Sequence, residues 1–160
     1  MRDEKLLIKN SRLLILDCYG TILFKDEPRK GIKRFLESQN KPIAIADERD
    51  LTGMINRLKE AGLIGNFFDI YGGENLVDHT EYANGIKHRY FVKNLGRIIN
   101  NYKLNPRQAV MIGDNQNNLD RLSAEAYDIP FVKIPSIFER EDFSFEELLY
   151  KRDQITKEAS

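Results

Sequence analysis

Leu13-Leu14-Ile15-Leu16-Asp17-Cys18-Tyr19-Gly20-Thr21 holds an apolar run of strand length that stops at an aspartate and passes at once into a glycine-threonine turn. A strand that ends in a carboxylate presents it at the carboxyl edge of a sheet, where open α/β folds place their chemistry. Ala109-Val110-Met111-Ile112-Gly113-Asp114 repeats the pattern nearly a hundred residues later. In a parallel sheet both strand ends lie on one edge, so Asp17 and Asp114 converge if their strands are neighbours.

Outward from these two segments, strand-like runs alternate with helix-period stretches. Strands are expected at 13–17, 42–46, 67–71, 109–113 and 131–134. Helices are expected at 30–39, 51–61, within 90–102, and near 117–126. That alternation predicts a parallel sheet covered by helices on both faces. The punctuation agrees: Asp50 is placed to cap the second helix, Gly62 follows its end, Pro106 follows the third helix and Pro130 precedes the last strand. Residues 24–31 hold charges, a proline and a glycine and read as a hairpin flap. We divide the chain into a lead-in (1–12), a core (13–138) and an amphipathic C-terminal helix (139–160) anchored by Phe143, Phe145, Leu148 and Leu149. The spacing leaves no room for a second domain.

The bulk numbers narrow the function classes. The chain has 160 residues, 41% apolar and 31% charged, with a formal net charge of zero. This is the composition of one globular domain, without the broad basic footprint of a nucleic-acid or anionic-membrane binder. Its apolar runs are too short to span a membrane. The first residues include acids and do not read as a secretory signal. Cys18 is the only cysteine, which excludes an internal disulfide and a multi-thiolate zinc site. A reduced, cytoplasmic setting is the expectation.

Paired carboxylates with waters suit magnesium, which prefers a few hard oxygen ligands. Such a cation would relieve the repulsion between an attacking aspartate and a phosphate. The run Asn115-Gln116-Asn117-Asn118, with Asp120 beyond it, offers further oxygen contacts. His79 and His88 lie at no ligand spacing and are assigned to the surface, and Cys18 is expected to pack as a small hydrophobe.

Asp17-Cys18-Tyr19-Gly20-Thr21 resembles the first motif of the haloacid dehalogenase (HAD) superfamily, and Met111-Ile112-Gly113-Asp114 resembles its fourth. The resemblance spans residues 13 to about 135, in the right order. It implies a Rossmannoid three-layer α/β sandwich with a central parallel sheet, in a single domain without a cap. It also implies Asp17 as nucleophile, a phosphoaspartate intermediate, and magnesium held by Asp17 and Asp114. Lys93 in Tyr90-Phe91-Val92-Lys93-Asn94-Leu95 resembles the family's neutralising lysine, with Lys87 and Arg89 as rivals. Thr21 would contact phosphate, and the usual downstream acidic ligand falls on Asn118.

The sequence also departs from the family pattern. Tyr19 stands where the phosphatases carry a second aspartate that protonates the leaving group and then activates water. A phenol, with a reference pKa of about 10, can donate a proton but is a poor base at neutral pH. The D-x-Y-G-T form resembles the magnesium-independent 2-haloacid dehalogenases, but that branch carries a helical cap and lacks the Gly-Asp motif, which disfavours dehalogenation here. Ala46 stands where a phosphate-gripping hydroxyl is expected. Asp47 follows it, either starting a solvated loop or offering, with Glu48, backbone N–H groups to a substrate phosphate. The expected activity is therefore a magnesium-dependent phosphohydrolase acting on a phosphorylated small molecule or macromolecule, its open site favouring a bulky substrate or a homo-oligomeric lid. The alternative is a catalytically degraded relative serving as a binding or regulatory protein.

Overall fold

The computed structural model describes residues 3–150. Helix α1 (Glu4–Asn10) leads into strand β1 (Leu13–Leu16). A small hairpin of β2 (Leu23–Phe24) and β3 (Glu27–Pro28) follows, then α2 (Ile32–Glu37), β4 (Ile43–Ala46), α3 (Leu51–Glu60) and β5 (Asp69–Tyr71). A long hairpin of β6 (Leu76–Ala83) and β7 (Ile86–Lys93) precedes α4 (Leu95–Asn101), β8 (Ala109–Gly113), α5 (Leu119–Ala126) and β9 (Phe131–Lys133).

The central sheet has the order β5-β4-β1-β8-β9, every pair parallel. The chain runs outward from β1 through β4 to β5, then returns to the other side of β1 for β8 and β9. The crevice between β1 and β8 is therefore the point where the winding reverses, the place such sheets bind ligands.

β1, β4 and β8 are buried along their whole length, as a sheet covered on both faces requires. Their side chains alternate between two cores. Leu14, Leu16, Ile43, Ile45, Val110 and Ile112 pack with Phe35 and Met54 on one face. Leu13, Ile15, Ala44, Ala46, Ala109 and Met111 pack with Leu95, Ile98 and Ala124 on the other. The fold is the expected three-layer α/β sandwich, and it is one small domain. Asp50 caps α3, its carboxylate accepting the Gly53 N–H at 2.9 Å. None of the described helices is long and apolar enough to cross a membrane.

Three segments differ from expectation. The third helix falls within the expected 90–102, as α4, but residues 90–93 ahead of it belong to strand β7, which was not expected. The reason is the β6–β7 hairpin, whose Asn84-Gly85 turn has φ of 53° and 76°, the doubly left-handed geometry of a two-residue β-turn. The hairpin leans on α5 through β7. The lead-in contains α1, which buries Ile8. The C-terminal segment buries Phe143, Phe145 and Leu148 as anchors, but over 139–150 it forms turns and a short 3-10 helix (Phe145–Leu148). Ser144 breaks any longer helix: its backbone is extended, it caps the 3-10 turn, and the next N–H, of Phe145, is tied to the Lys30 carbonyl at 2.9 Å. The remainder of the expected helix lies outside the described residues.

Candidate active site

The register of β1 and β8 brings the two strand ends level. Leu16 pairs with Ile112, and the Asp17 N–H donates to the Ile112 carbonyl at 3.0 Å. Both following carboxylates are buried, Asp17 at 6% and Asp114 at 4% exposure. Glycines make the approach feasible. Gly20 has φ +86°, and a Cβ there would lie 2.5 Å from Asp114 Oδ2. A Cβ on Gly113 would run into the carboxylate of Asp120. The turn after Asp17 is thus shaped to admit Asp114, and the end of β8 to admit Asp120.

Thr21 links the two strand ends. Its hydroxyl donates to Asp17 Oδ2 at 3.4 Å and accepts the Asp114 N–H at 3.1 Å. It is fully buried, and these bonds tie it to the Asp17 carboxylate and the Asp114 backbone.

Lys93 is the last residue of β7, just ahead of Asn94, whose side chain caps α4. The Lys93 N–H donates to Ser123 Oγ at 2.9 Å, which fixes the strand end against α5. From there Nζ reaches Asp17 Oδ1 at 2.8 Å and Asp120 Oδ1 at 2.6 Å, with Glu48 Oε2 at 3.9 Å. Of the three basic candidates Lys93 alone enters the cluster. Lys87 and Arg89 are exposed on the hairpin, Arg89 paired with Asp78. His79 and His88 also lie on the hairpin, away from the carboxylates.

Asn118 does not join this group. It is exposed, in left-handed backbone at φ 62°, and its Oδ1 accepts from the Asn115 side chain. The side chain that does join is Asp120, one residue into α5 and 2% exposed. Oxygens of Asp17, Asp114 and Asp120 lie within 4.8 Å of one another.

Asp47 is no solvated loop residue. It is 2% exposed, and its own N–H continues the sheet by donating to the Tyr71 carbonyl at 3.0 Å, so that N–H is not free for a substrate. Its carboxylate instead accepts three backbone N–H groups. Oδ2 takes those of Cys18 at 3.1 Å and Tyr19 at 3.0 Å, and Oδ1 takes that of Arg49 at 2.9 Å. Asp17, Asp47 and Glu48 form a second set of carboxylates within 4.8 Å.

Arg29, one of the charges in the 24–31 flap, also contributes. It is 4% exposed, and its Nη1 donates to the carbonyls of Gly20 and Pro135, each at 2.9 Å. It holds the turn after Asp17 against the loop beyond β9. Its Nη2 is buried with no partner among the described residues. The cleft itself, about 440 Å³, is lined by Tyr19, Phe24, Lys25, Glu48, Arg49 and Asn117 together with Asp17 and Asp114. Arg49 lies over the Tyr19 ring, 4.5 Å from its centroid.

Burial pushes the Asp17 carboxyl well above the ordinary carboxylate range; Lys93 opposes the rise, while Asp120 and Asp47 add to it. Burial and Asp120 also raise Asp114. Burial works against the charge on Lys93, but Asp17, Asp120 and Asp47 more than offset it and keep the ammonium charged. Asp47 goes the other way: burial is outweighed by its hydrogen bond with Asp17, by Lys93 and by the N–H groups of Tyr19 and Arg49, and its carboxyl falls below the usual range. The Cys18 thiol is pushed up by burial and by the neighbouring carboxylates. Lys93 pairs with Asp17 and Asp120, whereas Asp114 has no ion-pair partner among the described residues. Three buried hard-oxygen donors with excess negative charge fit a small divalent cation such as magnesium.

No protein-family model and no curated protein matches this sequence. Solved structures match it by fold. A predicted phosphoglycolate phosphatase from Haemophilus somnus superposes with a TM-score of 0.62 at 14% identity, over 94% of this chain and 99% of the other. A haloacid dehalogenase-like hydrolase from Streptococcus pneumoniae gives 0.61 at 15% identity, over 95% and 100%. A HAD-superfamily hydrolase of subfamily IA from Geobacter sulfurreducens gives 0.58 at 16%, over 79% and 92%. The likeness is one of fold: the chain has the α/β fold of HAD-superfamily hydrolases.

Proposed function

We propose that this protein is a magnesium-dependent phosphohydrolase in which Asp17 is the nucleophile. The observation that carries the reading is the ammonium of Lys93, held between Asp17 and Asp120 at the β1–β8 crevice. A carboxylate at a sheet edge with a buried cation beside it is equipped to attack an anionic phosphorus centre.

In this reading Asp17, Asp114 and Asp120 hold the magnesium, which when bound neutralises their charge and that of the phosphoryl oxygens. Asp17 attacks phosphorus, the bond to the ester oxygen breaks, and that oxygen leaves as an anion that takes its proton from solvent. Water then attacks the phosphoaspartate, releasing phosphate and restoring Asp17. Lys93 steadies Asp17 and the transferred group, and Thr21 fixes the Asp17 carboxylate. Tyr19 occupies the acid's position on the chain. Burial raises its phenol above the ordinary value, so it holds its proton tightly, and turnover depends steeply on the quality of the leaving group. The fold is common to many activities, and the substrate class we propose is a phosphate monoester, small or attached to a macromolecule. A cytoplasmic location and a homo-oligomer that lids the open cleft belong to the same proposal.

The test is hydrolysis of an aryl phosphate, with and without magnesium, by the wild type and by Asp17→Asn. We expect magnesium-dependent release of phosphate that the variant loses. Equal rates would sink the nucleophile assignment.

Tyr19 also favours a second reading, a relative that binds without turning over. Calorimetry with magnesium and beryllofluoride separates the two. Asp17-dependent binding without hydrolysis of any ester supports a binding or regulatory protein.

A further inference from the structure

The N–H groups of Cys18 and Tyr19 come from the turn that directly follows the proposed nucleophile, and both point at one oxygen of Asp47. That carboxylate is within 4.8 Å of the Asp17 carboxylate. A phosphorus atom under attack lies about 3–3.5 Å from the attacking oxygen. A phosphoryl group presented to Asp17 therefore brings its oxygens into the neighbourhood that Asp47 Oδ2 fills. Paired backbone N–H groups at a turn are a natural anion cradle, and here the anion they hold belongs to the protein.

We infer that Asp47 is the specificity-determining residue of this site, an internal anion seated on the phosphoryl cradle that a substrate phosphate must displace. The inference rests on the phosphohydrolase reading of Asp17 and adds to it a built-in competitor. Three features make the seat a stable one. Asp47 is fixed at the end of β4 by its ladder bond to Tyr71. Its second oxygen is held by the Arg49 N–H. The preceding residue, Ala46, is buried and carries no hydroxyl to grip a phosphate in its place. Charge-assisted bonds of this kind are among the stronger hydrogen bonds in proteins, so a phosphate loses affinity by having to break them. A weakly charged or neutral ligand, which gains less from the cradle, loses less.

The experiment compares the full-length wild type with Asp47→Ser and Asp47→Asn. Serine empties the cradle; asparagine keeps an acceptor but removes the charge. Binding of orthovanadate and of inorganic phosphate, each with magnesium, is measured by calorimetry, and melting curves check that the variants fold. We expect Asp47→Ser to bind both anions about tenfold or more tightly than the wild type, with Asp47→Asn between the two. In 15N-labelled protein the amide resonances of Cys18 and Tyr19 should move on Asp47→Ser and move again when vanadate is added. Folded variants that bind no tighter than the wild type, including the case in which none of the three binds, overturn the inference. The outcomes also separate the two proposals. If Asp47→Ser gains affinity but no form hydrolyses an aryl phosphate, the cradle inference stands and the phosphohydrolase reading falls. If the wild type turns over through Asp17 while Asp47→Ser gains nothing, the reverse holds.

Discussion

Lys93 Nζ lies 2.6 Å from Asp120 Oδ1, with both side chains no more than 3% exposed, and the same nitrogen holds Asp17 at 2.8 Å. One ammonium thus ties the end of β1 to the start of α5 from the end of a hairpin that precedes α4. Removing one partner of a buried pair leaves the other charges uncompensated. Lys93→Met should therefore destabilise the protein by about 3–5 kcal/mol, read as a shift in the urea midpoint. Because methionine keeps the length of the stem, a midpoint equal to that of the wild type would mean that the network contributes nothing to stability.

The raised carboxyls of Asp17 and Asp114 make a signed prediction for stability against pH. A group whose folded pKa lies above its unfolded value binds its proton more firmly in the native state, so its contribution is present at low pH and is lost as pH rises through the folded value. The window opens near pH 4, the ordinary carboxyl value, and extends upward to the raised values. Asp47, held low, works in the opposite sense: its contribution is present above about pH 4 and disappears below it. The metal-free protein should lose melting temperature as the buffer is taken from pH 5 to pH 8, and added magnesium should raise it most at the upper end. A magnesium increment independent of pH would separate the cation from these carboxylates.

Arg29 supports the loop that shapes the site without entering the acidic cluster. Its Nη1 satisfies two backbone carbonyls, including that of Gly20 in the turn after Asp17, and its head group lies over the Phe143 ring. Arg29→Met keeps much of the packing and orphans both carbonyls, at a cost of about 1–3 kcal/mol. Asp17-dependent hydrolysis should fall through kcat more than through KM, because the turn loosens while the cleft remains. A variant that melts with the wild type and keeps its kcat would show that Gly20 does not need this brace.

What the sequence made legible depended on how locally each feature is encoded. β1 and β8 are unbroken apolar runs that stop at an aspartate, so their burial, their parallel pairing and the meeting of Asp17 with Asp114 all follow from period and edge. The β6–β7 hairpin is poorly legible because Tyr90-Phe91-Val92-Lys93-Asn94-Leu95 satisfies a helical and a strand period about equally. Its local signal is Asn84-Gly85, the strongest short cue for a hairpin turn, flanked by Tyr82 and Ile86. Asp47 is a site candidate in the sequence, but its burial is not legible there: it depends on the ladder extending one residue past Ala46 to reach Tyr71, a long-range pairing. Asp120, one of the oxygen contacts that the sequence offers, joins the cluster in place of Asn118 through turn geometry that the sequence does not show. Asn115 and Asn118 both take left-handed backbone, at φ 59° and 62°, so the chain coils before α5 and a carboxylate two residues later than expected turns back to the site.

That coil gives the last prediction, a contrast between near neighbours. Asp120 accepts the Asn115 N–H at 3.3 Å and faces Lys93, Asp17 and Asp114, whereas Asn118, among the described residues, bonds to Asn115 and Leu122 and is exposed. Asp120→Asn removes one of three candidate oxygen ligands together with its charge, and should weaken magnesium binding by about tenfold or more. It should also release part of the hold on Lys93. Asn118→Gly suits the left-handed backbone, deletes only an exposed side chain, and should bind magnesium as the wild type does. Titration of the two variants with magnesium by calorimetry, alongside Asp114→Asn as a reference, decides the matter. Loss of binding in Asn118→Gly with retention in Asp120→Asn would return the third ligand to the asparagine and refute the arrangement described for the end of β8.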